Sequence, residues 1–116
     1  MSSTITLRWR NRRTAVRVDE IVYVESYNRH LSVYTVSGKT EIVGKLGDFM
    51  RLLPENEFLS IHKSFTVNMK FITGINECGA VISDGTVLPV SVRKRKAAVE
   101  KFDGYCLERG EGKCLF

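Results

Sequence analysis

Apolar residues recur in this chain with a period of two, in short runs cut off by turn signals. Ile5, Leu7 and Trp9 alternate with Thr6 and Arg8, and Leu31, Val33 and Thr35 alternate with Ser32 and Tyr34. Successive side chains of a strand point to opposite faces, so this period puts one face in a core and the other in water. Arg10 to Arg13 reads as a turn, after which Val16 and Val18 form a second short strand that Asp19 and Glu20 interrupt. Ile21 to Val24 is β-branched and aromatic, as in a buried strand. Ser26 to His30 reads as a polar loop, and Ser37-Gly38 as a turn from which Lys39 to Val43 returns. Phe58 to Ile61, Ser64 to Val67 and Phe71 to Ile75 are further strands, the last two around a loop at Asn68. Ala80 to Ser83 and Thr86 to Val90 flank Asp84-Gly85, a pair suited to a two-residue type I′ turn.

Two segments break the period. Leu46, Phe49, Met50 and Leu53 have the i, i+3, i+4, i+7 spacing of one helical face, and Pro54 ends that helix. Ser91 can cap a second helix from Val92 to Phe102, with Val92, Val99 and Phe102 on an apolar face and Arg93 and Lys96 on a basic one. The expectation is an all-β domain of about ten short strands, one short helix and a C-terminal helix. With 116 residues there is room for one domain. It is expected over residues 1–103, with 104–116 a frayed tail.

Charge is segregated along the chain. The net charge is +5, but its placement says more. Met1 to Val18 holds Arg8, Arg10, Arg12, Arg13 and Arg17 and no acid. Ser60 to Asn76 holds Lys63 and Lys70, and Gly85 to Val99 holds Arg93, Lys94, Arg95 and Lys96, again without an acid. Acids gather elsewhere, as at Asp48, Glu55 and Glu57. Three acid-free basic segments that can fold to one side point to a polyanionic partner such as nucleic acid.

Other classes find little support. The cysteines Cys78, Cys106 and Cys114 are odd in number and too dispersed for a disulfide scaffold or a zinc site, so reduced thiols and no metal are expected. No apolar run approaches the roughly 20 residues of a membrane span, and Met1-Ser2-Ser3-Thr4 does not begin a signal peptide, so a cytoplasmic location is expected. His30, His62, Ser64 and Cys78 come with no nucleophile elbow and no Gly-rich phosphate loop. Neither an enzymatic activity nor a cofactor is expected. A small β-barrel that binds single-stranded nucleic acid, or a protein-binding module, is the alternative. Base stacking needs exposed aromatics, and here most occupy core-like positions, with Tyr27 the main exception.

Three segments carry a resemblance. They are Asp19-Glu20-Ile21-Val22-Tyr23-Val24-Glu25-Ser26, then Phe58-Leu59-Ser60-Ile61-His62-Lys63-Ser64-Phe65-Thr66-Val67-Asn68, then Gly85-Thr86-Val87-Leu88-Pro89-Val90-Ser91-Val92-Arg93. In order and spacing the chain resembles the LytTR DNA-binding domain of bacterial response regulators, from about Ile5 to Phe102. The most specific part is His62-Lys63-Ser64 followed by Val67-Asn68. The resemblance implies an elongated stack of small antiparallel sheets that meets double-stranded DNA through loops. It implies transcriptional regulation at direct-repeat promoter sites, a dimer on DNA, and a receiver or sensor domain that this chain does not contain. Two positions depart from the family: Ser60 stands where arginine is frequent, and His30 where tyrosine is.

The residue chemistry supports specific roles. Arg93 lies where the chain leaves a strand, and its guanidinium fork suits guanine O6 and N7. His30 lies in a polar stretch with Asn28 and Arg29, a group rich in hydrogen-bonding atoms. Lys63 and Ser64 suit phosphate contact, whereas His62 is as readily a satisfied histidine at a strand end. Lys94, Arg95 and Lys96 extend the basic run. Asn68 can simply organise its turn. Arg8, Arg10, Arg12 and Arg13 fit phosphate contact and a solvated hairpin equally.

Overall fold

The computed structural model describes residues 3–109. Ten strands form: β1 Thr4–Trp9, β2 Arg12–Arg17, β3 Ile21–Tyr27, β4 His30–Thr35, β5 Gly38–Val43, β6 Phe58–His62, β7 Phe65–Asn68, β8 Ile72–Asn76, β9 Gly79–Ile82 and β10 Val87–Leu88. Helix α1 is Leu46–Met50, α2 is Val92–Glu108, and single 3-10 turns cover Val18–Glu20 and Met69–Phe71. Every pairing is antiparallel. The strands make a two-stranded ribbon β1-β2, a central sheet in the order β5-β4-β3-β7-β6, and a three-stranded sheet β10-β9-β8. The all-β expectation and the stack of small sheets are both met, and the principal extents of 50 × 31 × 24 Å are those of an elongated body.

The alternation seen in the sequence sorts side chains onto the two faces of the central sheet. Val24, Leu31, Val33, Ile42 and Phe58 form one core with Leu7 and Val16 of the ribbon and Leu46, Phe49 and Leu53 around α1. Leu59, Ile61 and Val67 form a second core with Ile72, Ala80, Ile82 and Leu88 of the small sheet and Ala98 of α2. Each Val, Leu, Ile or Phe among them contributes about 1.5–3 kcal/mol when fully buried. Asn68, only 1% exposed, ties the end of β7 to the start of β3 and to the next 3-10 turn: its amide donates to Ile21 O at 3.0 Å and its carbonyl accepts from Lys70 N at 3.2 Å.

Several local expectations change. The Ser26–His30 loop shrinks to Asn28-Arg29, because Tyr27 and His30 pair across the hairpin. The turn after β1 likewise shrinks to Arg10-Asn11, with Trp9 opposite Arg12. Val18 leaves β2 for a 3-10 turn. The β9–β10 turn is not type I′. Ile82 and Thr86 close a three-residue loop through Ile82 N–Thr86 O and Gly85 N–Ile82 O, both 2.8 Å. Gly85 alone there takes positive φ (94°), and Asp84 accepts from Thr86 N at 2.9 Å. Gly79 permits a close approach in this sheet, since a Cβ would lie 2.1 Å from Leu88 O.

The helices also differ from expectation. In α1 the i→i+3 bonds Leu52 N–Phe49 O and Leu53 N–Met50 O tighten the chain ahead of Pro54, so regular helix stops at Met50. The Ser91 side chain does not cap α2; its backbone N–H instead donates to Ile61 O at 2.9 Å. The helix therefore starts level with the end of β6, which leaves Val92 91% exposed rather than on an apolar face. The buried face is Ala98, Phe102 and Tyr105, and Tyr105 carries the helix to Glu108, so 104–108, expected as tail, are helical. The expected tail beyond 109, with Cys114, lies outside the described residues.

A candidate nucleic-acid interface

Strand register brings chain reversals to one end of the central sheet. At that end Tyr27 pairs with His30, His30 with Val43, and His62 with Phe65. Ser26 N donates to Ser64 O at 2.8 Å and Gly44 N to Arg29 O at 2.9 Å, which places the β3–β4 turn, the β6–β7 turn and the exit of β5 together. The bond from Ser91 to Ile61 adds the first turn of α2. The β1–β2 tip joins them through the rings of Trp9 and His30, 5.4 Å apart and tilted 60°. The end thus carries Arg10, Asn28, Arg29, His30, Lys45, Lys63 and Arg93, all exposed, with Ser64 half-buried.

The other end of the same sheet is where Asp19 and Glu20 precede β3 and Glu57 precedes β6. A bond from Val36 N to Glu20 O joins the β4–β5 turn to that end. Cations stand there too: Arg17 pairs with Asp19, Lys39 follows the β4–β5 turn, and Lys101 Nζ donates to Phe58 O at 2.8 Å, so its charge is mixed. At the usual interstrand spacing the row from β5 to β6 is about 19 Å wide, and the β3–β4 and β6–β7 turns lie about 10 Å apart.

The sequence-derived residues divide. Arg93, His30, Asn28, Arg29, Lys63 and Ser64 come together at this end. His62 lies beside them but is held inward: its Nδ1 accepts from Ser64 N at 3.1 Å and its ring meets Phe65 edge-on at 5.9 Å, so it braces the β6–β7 turn. Lys94 and Arg95 do not join the row. Lys94 Nζ reaches back to Ser60 Oγ at 3.2 Å, and Arg95 donates to Asn76 O at 2.6 Å at the β8–β9 turn. A helix rotates about 100° per residue, so four consecutive cations cannot share a side. Lys96 is exposed on α2, one turn beyond Arg93.

Structure adds residues that sequence reading left out. Trp9 takes a core-like place in the alternation; in the fold it is half-buried, with its ring against His30. Lys45 enters only through strand order, which composition does not reveal. Tyr27 (72% exposed) and Val43 (62%) flank His30.

Asn28 and Arg29 have φ of 49° and 64°, as both central residues of a type I′ turn must. Arg10 has φ 56°. A non-glycine residue there costs on the order of 1–2 kcal/mol. Two pKa shifts are resolved away from this end. Burial, then the charges of the neighbouring Tyr34 phenol and of Glu25, push Tyr23 up to about 12. The Thr86 backbone N–H holds Asp84 below its ordinary value.

The sequence profile of the LytTr DNA-binding domain matches residues 11–103. The chain belongs to the LytTr DNA-binding domain family. Its fold is similar to that of a LytTr DNA-binding domain from Bacillus cereus, with TM-score 0.69 at 23% identity, over 89% of this chain and 95% of that one. It is 27% identical over 81 residues to the sensory transduction protein LytT of Bacillus subtilis (strain 168), covering 66% of this chain. The LytTr chain spans about a third (34%) of that relative's length. No helix among the described residues is long and apolar enough to cross a membrane.

Proposed function

We propose that this LytTr domain binds double-stranded DNA of defined sequence and serves as the output module of a bacterial transcriptional regulator in the cytoplasm. The observation that carries this reading is the gathering of cations from separate loops at one end of the central sheet. A duplex offers phosphates on both sides of a major groove about 12 Å wide. The roughly 10 Å between the two central turns matches a groove contact beside a backbone contact. Arg93, exposed at the start of α2, takes guanine O6 and N7 bidentately. His30 and the Asn28-Arg29 tip enter the groove, while Lys63 and Ser64 hold phosphate. The remainder of the regulator supplies a receiver or sensor domain, and two copies of the domain occupy direct repeats at a promoter.

The test is selection of bound duplexes from a random pool, followed by competition. Enrichment of one motif, with the matching single strands competing poorly, is the expected result. Equal competition by single strands would overturn the duplex reading in favour of a single-strand binder. Binding without enrichment would overturn sequence reading while leaving phosphate contact in place.

A further inference from the structure

The first strand of the β1–β2 ribbon lies ahead of the family match, which begins at residue 11. Yet its last residue and its turn touch the proposed interface. Arg10 Cζ stands 5.4 Å from the centre of the Trp9 ring, and the Trp9 ring stands 5.4 Å from that of His30. Cation, indole and imidazole thus form a column that links the β1–β2 tip to the β3–β4 tip.

A second observation singles out the same two tips. Among the described residues, Arg10, Asn28 and Arg29 are the non-glycine residues with positive φ. Glycine or asparagine adopts that conformation most cheaply, and arginine is not selected for turn geometry. Two strained arginines on two touching hairpins indicate that a cation at each tip matters more than an easy turn. Among the described residues ion pairs join Arg17 to Asp19 and Lys39 to Glu41, and Arg10 takes part in neither. Its guanidinium meets the indole ring of Trp9.

Resting on the duplex reading above, we propose that the Arg10–Trp9–His30 column extends the DNA-binding surface beyond the matched family region. Trp9 is a positioning residue that fixes the His30 ring for base contact, and Arg10 is a phosphate contact on the flank of the site. A flat indole face restricts the imidazole, which otherwise rotates freely on an exposed strand end. The guanidinium lies over that indole ring and keeps its N–H edge outward for a phosphate oxygen.

The experiment uses the full chain, a duplex selected from a random pool, and a scrambled duplex of equal length. Arg10→Ala is expected to weaken both duplexes by the same factor, about three- to fivefold, the scale of one exposed ion pair. It should also make the salt dependence shallower by about one ion. Trp9→Leu is expected to lose preference for the selected duplex as His30→Ala does, and the double variant to lose no more than His30→Ala alone. Additive losses, or an unchanged salt slope in Arg10→Ala, would overturn the proposal. Because Trp9 also borders the core, a measurement on the free protein accompanies these. The indole ring current displaces the His30 imidazole proton resonances, and Trp9→Phe should move them while leaving those of His62 in place. Unmoved His30 resonances would overturn the positioning role whatever the DNA data show. If the unaltered chain binds no duplex, the duplex reading itself falls and takes the Arg10 contact with it, whereas the Trp9–His30 contact is still decided by the resonances.

Discussion

At Arg29 the backbone and the proposed function make opposite demands on one residue. Its φ of 64° favours glycine, while an interface for a polyanion favours a cation. Arg29→Gly should therefore raise stability slightly, by no more than about 1 kcal/mol after glycine's extra chain entropy is counted. The same change should weaken duplex binding and lower its salt dependence, and melting curves beside salt-dependent titrations read both effects. Tyr23 gives a prediction in pH. Its folded-state pKa of about 12 lies above the ordinary value of 10, so the folded chain keeps a proton that the unfolded chain has released. Stability is unaffected by this group below about pH 10 and falls as pH rises through about 12. Tyr23→Phe should remove that part of the alkaline loss, seen as the difference between the two denaturation midpoints against pH. Residue types alone left His62 undecided between phosphate contact and a satisfied histidine at a strand end. Only its Nδ1 bond to Ser64 N assigns it a bracing role.

Elements were legible where periodicity is a local signal, and less so where contact decides. Alternation, β-branched runs and turn signals located the ten strands, and the i, i+3, i+4 spacing located α1, whereas α2 was placed by Ser91 and a face from Val92 to Phe102. The length of α2 was not read from the sequence: Gly104, a poor helix former, interrupts the run, and Tyr105 extends the helix by packing onto the second core. Turn chemistry misled at Asp84-Gly85, where the dipeptide fits two loop lengths and only the closing bonds to Thr86 choose between them. Gly79 was likewise silent in the sequence, yet the small sheet depends on it. Gly79→Ala would set a methyl group 2.1 Å from Leu88 O at φ 140°, so β9 and β10 must part. The expected cost is about 1–3 kcal/mol from forced displacement, measured by chemical denaturation. Because Arg93 lies just past β10, hydrogen exchange should rise there while the β1–β2 ribbon stays protected. Equal loss of protection in the ribbon would show that the layers unfold as one unit.

On the scale of the whole molecule, three acid-free segments each send one cation to the same end: Arg10, Lys63 and Arg93. Other members go elsewhere, with Arg17 pairing with Asp19 and Arg95 anchoring on Asn76. The sequence showed the segregation but not the sorting, which follows from strand order. If about five phosphates are neutralised by this end, log K against log salt should slope near roughly −4 to −5. Within that total, two cations should behave differently. Arg93 presents a planar fork able to pair with one base edge, whereas Lys63 presents a point charge on a turn. Arg93→Ala should cost about 1–3 kcal/mol on the preferred duplex and flatten the preference at one base pair. Lys63→Ala should weaken preferred and scrambled duplexes by similar factors and make the slope shallower by about one. Both side chains are exposed, so neither change should move the melting curve appreciably. Titration of both variants against both duplexes at several salt concentrations separates the roles. Equal losses on the two duplexes for Arg93→Ala would make Arg93 a phosphate contact, and the base-reading role would then pass to His30 and the Asn28-Arg29 tip.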